Sequence, residues 1–171
     1  MSTPVKWVPD QNEPGEPYLP SLTEAAGEIC KVSEADQREI LGLIDAADEA
    51  LQEHPDRIPN PNHTNHHADG LYGRELSMPA GSVFTTKIHN RQHFLFVMKG
   101  SCSVLDVQTG IRYVEAPAMI VTEPGTYRIV RVHTDSIWIT VHATELTDVD
   151  EILDEILTDH VGAFSRLLEH K

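Results

Sequence analysis

Positive charge is scarce in this chain. Its 13 lysine and arginine side chains face 27 aspartates and glutamates, a formal net charge of −14. Sequence-independent binding to nucleic acid needs a cationic surface that displaces counterions, so that role is disfavoured. A polybasic membrane anchor is equally absent, and no apolar run approaches the length that crosses a bilayer. Cysteine is nearly absent too. Cys30 and Cys102 lie far apart without paired spacing, which predicts reduced thiols and no disulfide framework. The opening MSTPVKWVPDQNEPGEPYLP lacks the apolar centre of a secretory signal, so the expected location is cytoplasmic. No Gly-x-Ser-x-Gly elbow, phosphate-cradling glycine loop or Cys-x-x-Cys pair occurs, and the chemistries they carry are not indicated.

The chain is long enough for one well-buried core, or for one domain with an arm. Residues 1–20 are proline-rich and predict an extended arm whose apolar groups include Trp7 and Tyr18. Residues 21–56 predict a helical extension. A short helix is expected over Leu22–Cys30, then a longer one capped by Ser33 with Asp36 and ended by Pro55. Residues 57–70, RIPNPNHTNHHADG, read as a loop carrying His63, His66 and His67, either solvated or forming a lid. From 71 to 145 the pattern is all-β, about eight short runs separated by turn residues, among them Leu71–Met78, Ala118–Thr122 and Thr126–Val132, as in a small sandwich, jelly roll or barrel. Residues 146–171 predict C-terminal helices, the first capped by Thr147 and the second over Val161–Leu168.

The most informative stretch is GSVFTTKIHNRQHFLFVMKG, Gly81 to Gly100. Read as one strand, Val83–His89 places Thr85, Lys87 and His89 on one face. A polar kink at Asn90-Arg91-Gln92 precedes His93 and the apolar run Phe94–Met98. Two histidines four apart across a bend can point into one cavity. Phe94, Phe96 and Met98 alternate with Leu95 and Val97, so this strand is apolar on both faces. Something must cover its outer side, which predicts a homo-oligomer.

This spacing resembles the first motif of the cupins, which runs Gly, five residues, His, one, His, three or four, Glu, six, Gly. Gly81, Lys87, His89, His93 and Gly100 occupy its landmarks, with Lys87 at a ligand histidine and His93 at the glutamate. The end of the second motif is similar to Glu123-Pro124-Gly125-Thr126-Tyr127-Arg128, where Arg128 stands in place of a third ligand histidine. The stretch from Gly70 through Trp138 and His142 to Asp148 looks like small cupin proteins of tailed bacteriophages. The resemblance implies a mainly β, cupin-like jelly-roll barrel with helices at both ends. It also implies that Lys87, His89, His93 and Arg128 converge inside, with Trp138 and His142 as further candidates.

Three functions are compatible with these residues. His89 and His93, with His142 or the His-rich segment, could hold zinc, iron, manganese or nickel. Alternatively Lys87 and Arg128, with the imidazoles, could form a metal-free pocket for an anionic small molecule such as a phosphate, nucleotide or sugar nucleotide. That pocket would serve as a binder or as an epimerase- or isomerase-type enzyme. In the third reading the barrel is a structural or assembly module, with the histidines bonded to backbone or water.

Overall fold

Alternation of burial along successive strands builds two sheets that face each other. The computed structural model describes residues 32–57 and 62–158. The proline-rich arm and the helices expected over Leu22–Cys30 and Val161–Leu168 lie outside the described residues. One sheet contains β1 (His63–Ala68), β2 (Leu71–Met78), β10 (Ser136–Ala143), β5 (His93–Lys99) and β8 (Ala118–Thr122), in that order. The other runs β3 (Val83–Thr85), β9 (Arg128–Val132), β6 (Ser101–Asp106) and β7 (Gly110–Glu115). A two-stranded ribbon, β4 (Ile88–His89) with β11 (Leu157–Thr158), lies apart from both. All pairings are antiparallel, so the fold is the expected mainly β jelly roll.

Leu95 and Val97 from β5, Val104 from β6, Val130 and Val132 from β9, and Trp138 from β10 fill the space between the sheets. Trp138 is 4% exposed and meets Phe84 edge to face, with ring centroids 6.3 Å apart. It is a core residue, and Cys102 beside this core is a buried free thiol. Gly100 has a positive φ of 85°, and a Cβ there would lie 2.6 Å from the Asp135 carbonyl oxygen. The turn after β5 therefore requires glycine on both conformational and steric grounds.

Among the described residues two helices flank the barrel. In α1 (Glu34–Glu53) the Ser33 hydroxyl accepts from the Asp36 amide and donates to its carboxylate, as the capping pattern predicts. Ile44 from α1 packs with Ile88, Val107 and Tyr127. In α2 (Val149–Ile156) the cap is Asp148 and not Thr147, its carboxylate accepting from the amides of Asp150 and Glu151. Ile152 and Ile156 pack against Tyr72 of β2.

Three expectations need correction. The segment read as a His-rich loop contains β1, paired with β2 along its whole length. An edge strand exposed along nearly all its residues needs no apolar alternation, so its composition mimics a loop. The run Val83–His89 is not one strand, because it breaks at Thr86-Lys87 between β3 and β4. The strand expected from Thr126 starts at Arg128, since the Thr126 hydroxyl is engaged by the Glu123 carbonyl in the preceding turn.

Candidate metal centre

The site is a layer of polar side chains across one end of the barrel. On the larger sheet, His67 pairs with Tyr72, Tyr72 with His142, and His93 with Thr122. His142 follows Val141, the partner of Phe94, so it lies beside His93. Period two along β5 sends His93, Leu95 and Val97 inward, and along β10 it sends Trp138 and His142 inward.

His89 reaches this layer from β4. Leu157 and Thr158 pair with His89 and Ile88, and the Asn90 amide donates to the Ile156 carbonyl at 2.8 Å. An Arg91–Glu155 ion pair of 2.9 Å adds to the same contact. On the other side Ile88 is buried under α1, and the Gly125 amide donates to the His89 carbonyl. The ribbon is thus held between the two helices, with Ile88 turned to α1 and His89 to the barrel.

The three imidazoles pack ring against ring. Centroids are 4.1 Å apart for His89–His93, 4.3 Å for His93–His142 and 5.1 Å for His89–His142. One nitrogen from each ring lies within 4.8 Å of the others. His89 Nδ1 and both ring nitrogens of His142 are buried without a hydrogen-bond partner. His93 differs, since its Nδ1 lies 3.3 Å from the Arg91 carbonyl oxygen. A proton on Nδ1 satisfies that carbonyl and leaves the Nε2 lone pair for a ligand.

Burial lowers the pKa of His89 to about 2, reinforced by His93, His142, Arg128 and Arg74. His142 is lowered to about 3 by burial and by His93. Burial lowers His93 to about 4, opposed by the Arg91 carbonyl and aided by Arg128. All three are neutral at pH 7, the state in which imidazole binds a metal.

The other expected residues divide. Lys87 is exposed and does not join the cluster. Because the strand breaks beside it, Lys87 lines a cleft with Asp45, Asp48 and Glu49 of α1, and the Thr85 hydroxyl bonds Asp48. Arg128 does point into the barrel, and its Nε donates to Asp106 Oδ2 at 2.6 Å. Of the His-rich segment, His66 bonds Glu75 at 3.0 Å and His67 meets the Tyr72 ring, and neither is among the three clustered imidazoles.

Sequence reasoning missed Arg74, whose charge acts on His89, and Asp106. Asp106 reads as a turn former, and its Oδ1 does accept from the Gln108 and Thr109 amides. Its second oxygen holds Arg128, which only the pairing of Asp106 with Arg128 across β6 and β9 reveals.

No family model and no curated protein matches the chain. Among solved structures it is similar to KdgF from Halomonas sp., at 18% identity over 60% of this chain and 95% of that one, TM-score 0.45. A cupin-2 domain containing protein from Shewanella frigidimarina is 10% identical over 50% and 81% of the two chains, TM-score 0.40. Hydroxypropylphosphonic acid epoxidase from S. wedmorenis is 12% identical over 54% and 56%, TM-score 0.42.

The lowered imidazole pKa values set a pH dependence. In the unfolded chain these histidines protonate below their ordinary value of 6.5, whereas in the folded protein they stay neutral to about 4 or lower. Stability is therefore unaffected above that ordinary value and falls as pH drops towards 4. The loss is on the order of 2 kcal/mol per imidazole at pH 5. Thermal melts of metal-free protein should show Tm falling from pH 7 to pH 5, with a shallower fall in His142→Gln. An unchanged slope in that variant contradicts the assignment.

Proposed function

We propose that the barrel binds one divalent transition metal through His89, His93 and His142. The observation that carries this reading is that two buried imidazoles and the half-buried His89 converge while three of their ring nitrogens are buried without a partner. Nitrogens bound tetrahedrally to one ion at about 2.1 Å lie about 3.4 Å apart. The three rings, whose nitrogens lie within 4.8 Å of one another, therefore close on an ion by shifts of up to about 1 Å. Zinc, iron, manganese and nickel all accept imidazole. Three protein ligands leave coordination positions for a small molecule, as in catalytic and not in purely structural metal sites.

Protein purified without metal-affinity steps should contain close to one metal per chain by elemental analysis. His89→Ala or His142→Ala should weaken metal binding at least about 100-fold. His66→Ala, outside the cluster, should leave it unchanged. Metal-free protein whose Tm ignores added zinc, iron(II), manganese and nickel contradicts the proposal.

We also propose that two copies pack through the outer face of the larger sheet. Phe94, Met98, Met119 and Val121 are exposed there, and Phe94 and Phe96 are in ring contact. The register joins Phe94 to Val121 and Val141, and Phe96 to Met119 and Ile139, making one patch over three strands. An apolar patch of this continuity is costly to leave in water. Sedimentation should show a dimer at tens of micromolar, converted to monomer by Phe94→Ser with Val121→Ser. A wild-type monomer at that concentration contradicts it.

A further inference from the structure

The imidazole layer continues onto a third strand of the larger sheet. The order β10, β5, β8 sets His142, His93 and the last residue of β8, Thr122, in one row. Thr122 is the direct cross-strand partner of His93. Along β8, Ala118, Ile120 and Thr122 are the less exposed positions, so Thr122 shares the inward face with the imidazoles. Residues opposed in this way have Cβ atoms about 4.5–5.5 Å apart. Thr122 is 1% exposed, and its hydroxyl oxygen is buried without a hydrogen-bond partner.

Packing does not call for that hydroxyl. The next pairs along the same two strands are Leu95 with Ile120 and Val97 with Ala118, all apolar. Valine has the outline of threonine and would continue this ladder without a polar atom to satisfy. The other buried serines and threonines among the described residues are all engaged. Thr126 donates to the Glu123 carbonyl, Ser136 to the Thr134 carbonyl and Thr144 to the Glu155 carboxylate. The Ser101 hydroxyl lies 3.2 Å from that of Thr134. Those four tie turns and connections together, and Thr122 does not. Its hydroxyl stands instead beside imidazole nitrogens in the same condition, Nδ1 of His89 and both of His142.

We infer that Thr122 orients the non-protein ligand of the metal centre, its hydroxyl donating a hydrogen bond to a small molecule that the ion holds beside His93. The ligand class is a molecule with an acceptor atom one or two bonds from the atom it gives to the metal. With His142 on one side of His93 and Thr122 on the other, the ion sits among the imidazoles and the hydroxyl meets what the ion carries. A hydroxyl can donate one proton and accept in return, so it suits such a ligand without adding charge. This deepens the metal-centre reading and rests on it.

The probe is azide, which binds a metal through one nitrogen and keeps further nitrogens as acceptors. Its affinity is read from the visible ligand-field spectrum of the full chain at full cobalt(II) occupancy, and Tm of the metal-free protein is the second readout. Thr122→Val should weaken azide roughly fivefold or more, the loss of one hydrogen bond. The same change should raise Tm of the metal-free protein, because a buried hydroxyl without a partner is removed. Thr122→Ser, which keeps the hydroxyl, should restore azide affinity. A hydroxyl with a structural role alone gives the opposite pair of results, a lower Tm and unchanged azide affinity. Equal azide affinity in wild type and Thr122→Val, or a fall in Tm, overturns the inference and leaves the metal-centre reading intact. Cobalt-loaded wild type that does not respond to azide, or a Thr122→Val protein that takes up no cobalt, overturns it too. If wild-type protein takes up no cobalt, the metal-centre reading fails and the role of Thr122 falls with it.

Discussion

Burying a polar atom without a hydrogen-bond partner costs about 1–3 kcal/mol, and the end of this barrel does so at three imidazole nitrogens. The rings lie against each other with centroids 4.1 to 5.1 Å apart, so water has little room to satisfy them. Apolar residues would fill the same layer at lower cost, as they do one step deeper at Leu95 and Val97. Coordination is the simplest compensation, because one ion accepts a lone pair from every ring at once. The rest of the site follows from keeping these nitrogens close, neutral and dry.

That arrangement depends on parts of the chain far apart in sequence. β5 and β10 deliver His93 and His142 by ordinary strand alternation. His89 comes from a two-residue ribbon that neither main sheet includes, held by β11, by the Asn90 and Arg91 contacts to the C-terminal segment and by Ile88 under α1. The helices, at the two ends of the described sequence, therefore fix one of the three imidazoles. Ile152 and Ile156 also pack against Tyr72, the cross-strand partner of His142.

Strands with one buried face were legible from the sequence, because period-two burial leaves its mark on residue type. The bounds of Ala118–Thr122 and Leu71–Met78 agree with the expectation residue for residue. β1 was not legible, since an exposed edge strand can be written in Asn, Thr and His. The spacing of His89 and His93 across a bend pointed to their ring contact, whereas His142 was one of two candidates for a third imidazole beside the His-rich segment. Lys87 was misplaced because period two was carried through Thr86-Lys87, where the strand breaks and the side chain turns to the α1 cleft. Asp106 and Arg74 were hidden for another reason. Their roles arise from cross-strand neighbours, and no local pattern distinguishes a turn aspartate from one whose second oxygen holds a buried guanidinium.

Arg128 and Arg74 lie close enough to His89 to add to the lowering of its pKa that burial causes, and Asp106 holds Arg128 through its Nε at 2.6 Å. The central claim is the coordination itself, and X-ray absorption at the zinc edge reads it most directly. For zinc-loaded protein the account predicts three imidazole nitrogens at about 2.0–2.1 Å with an oxygen donor completing the shell. A shell with sulfur, or with fewer than three imidazoles, would contradict it.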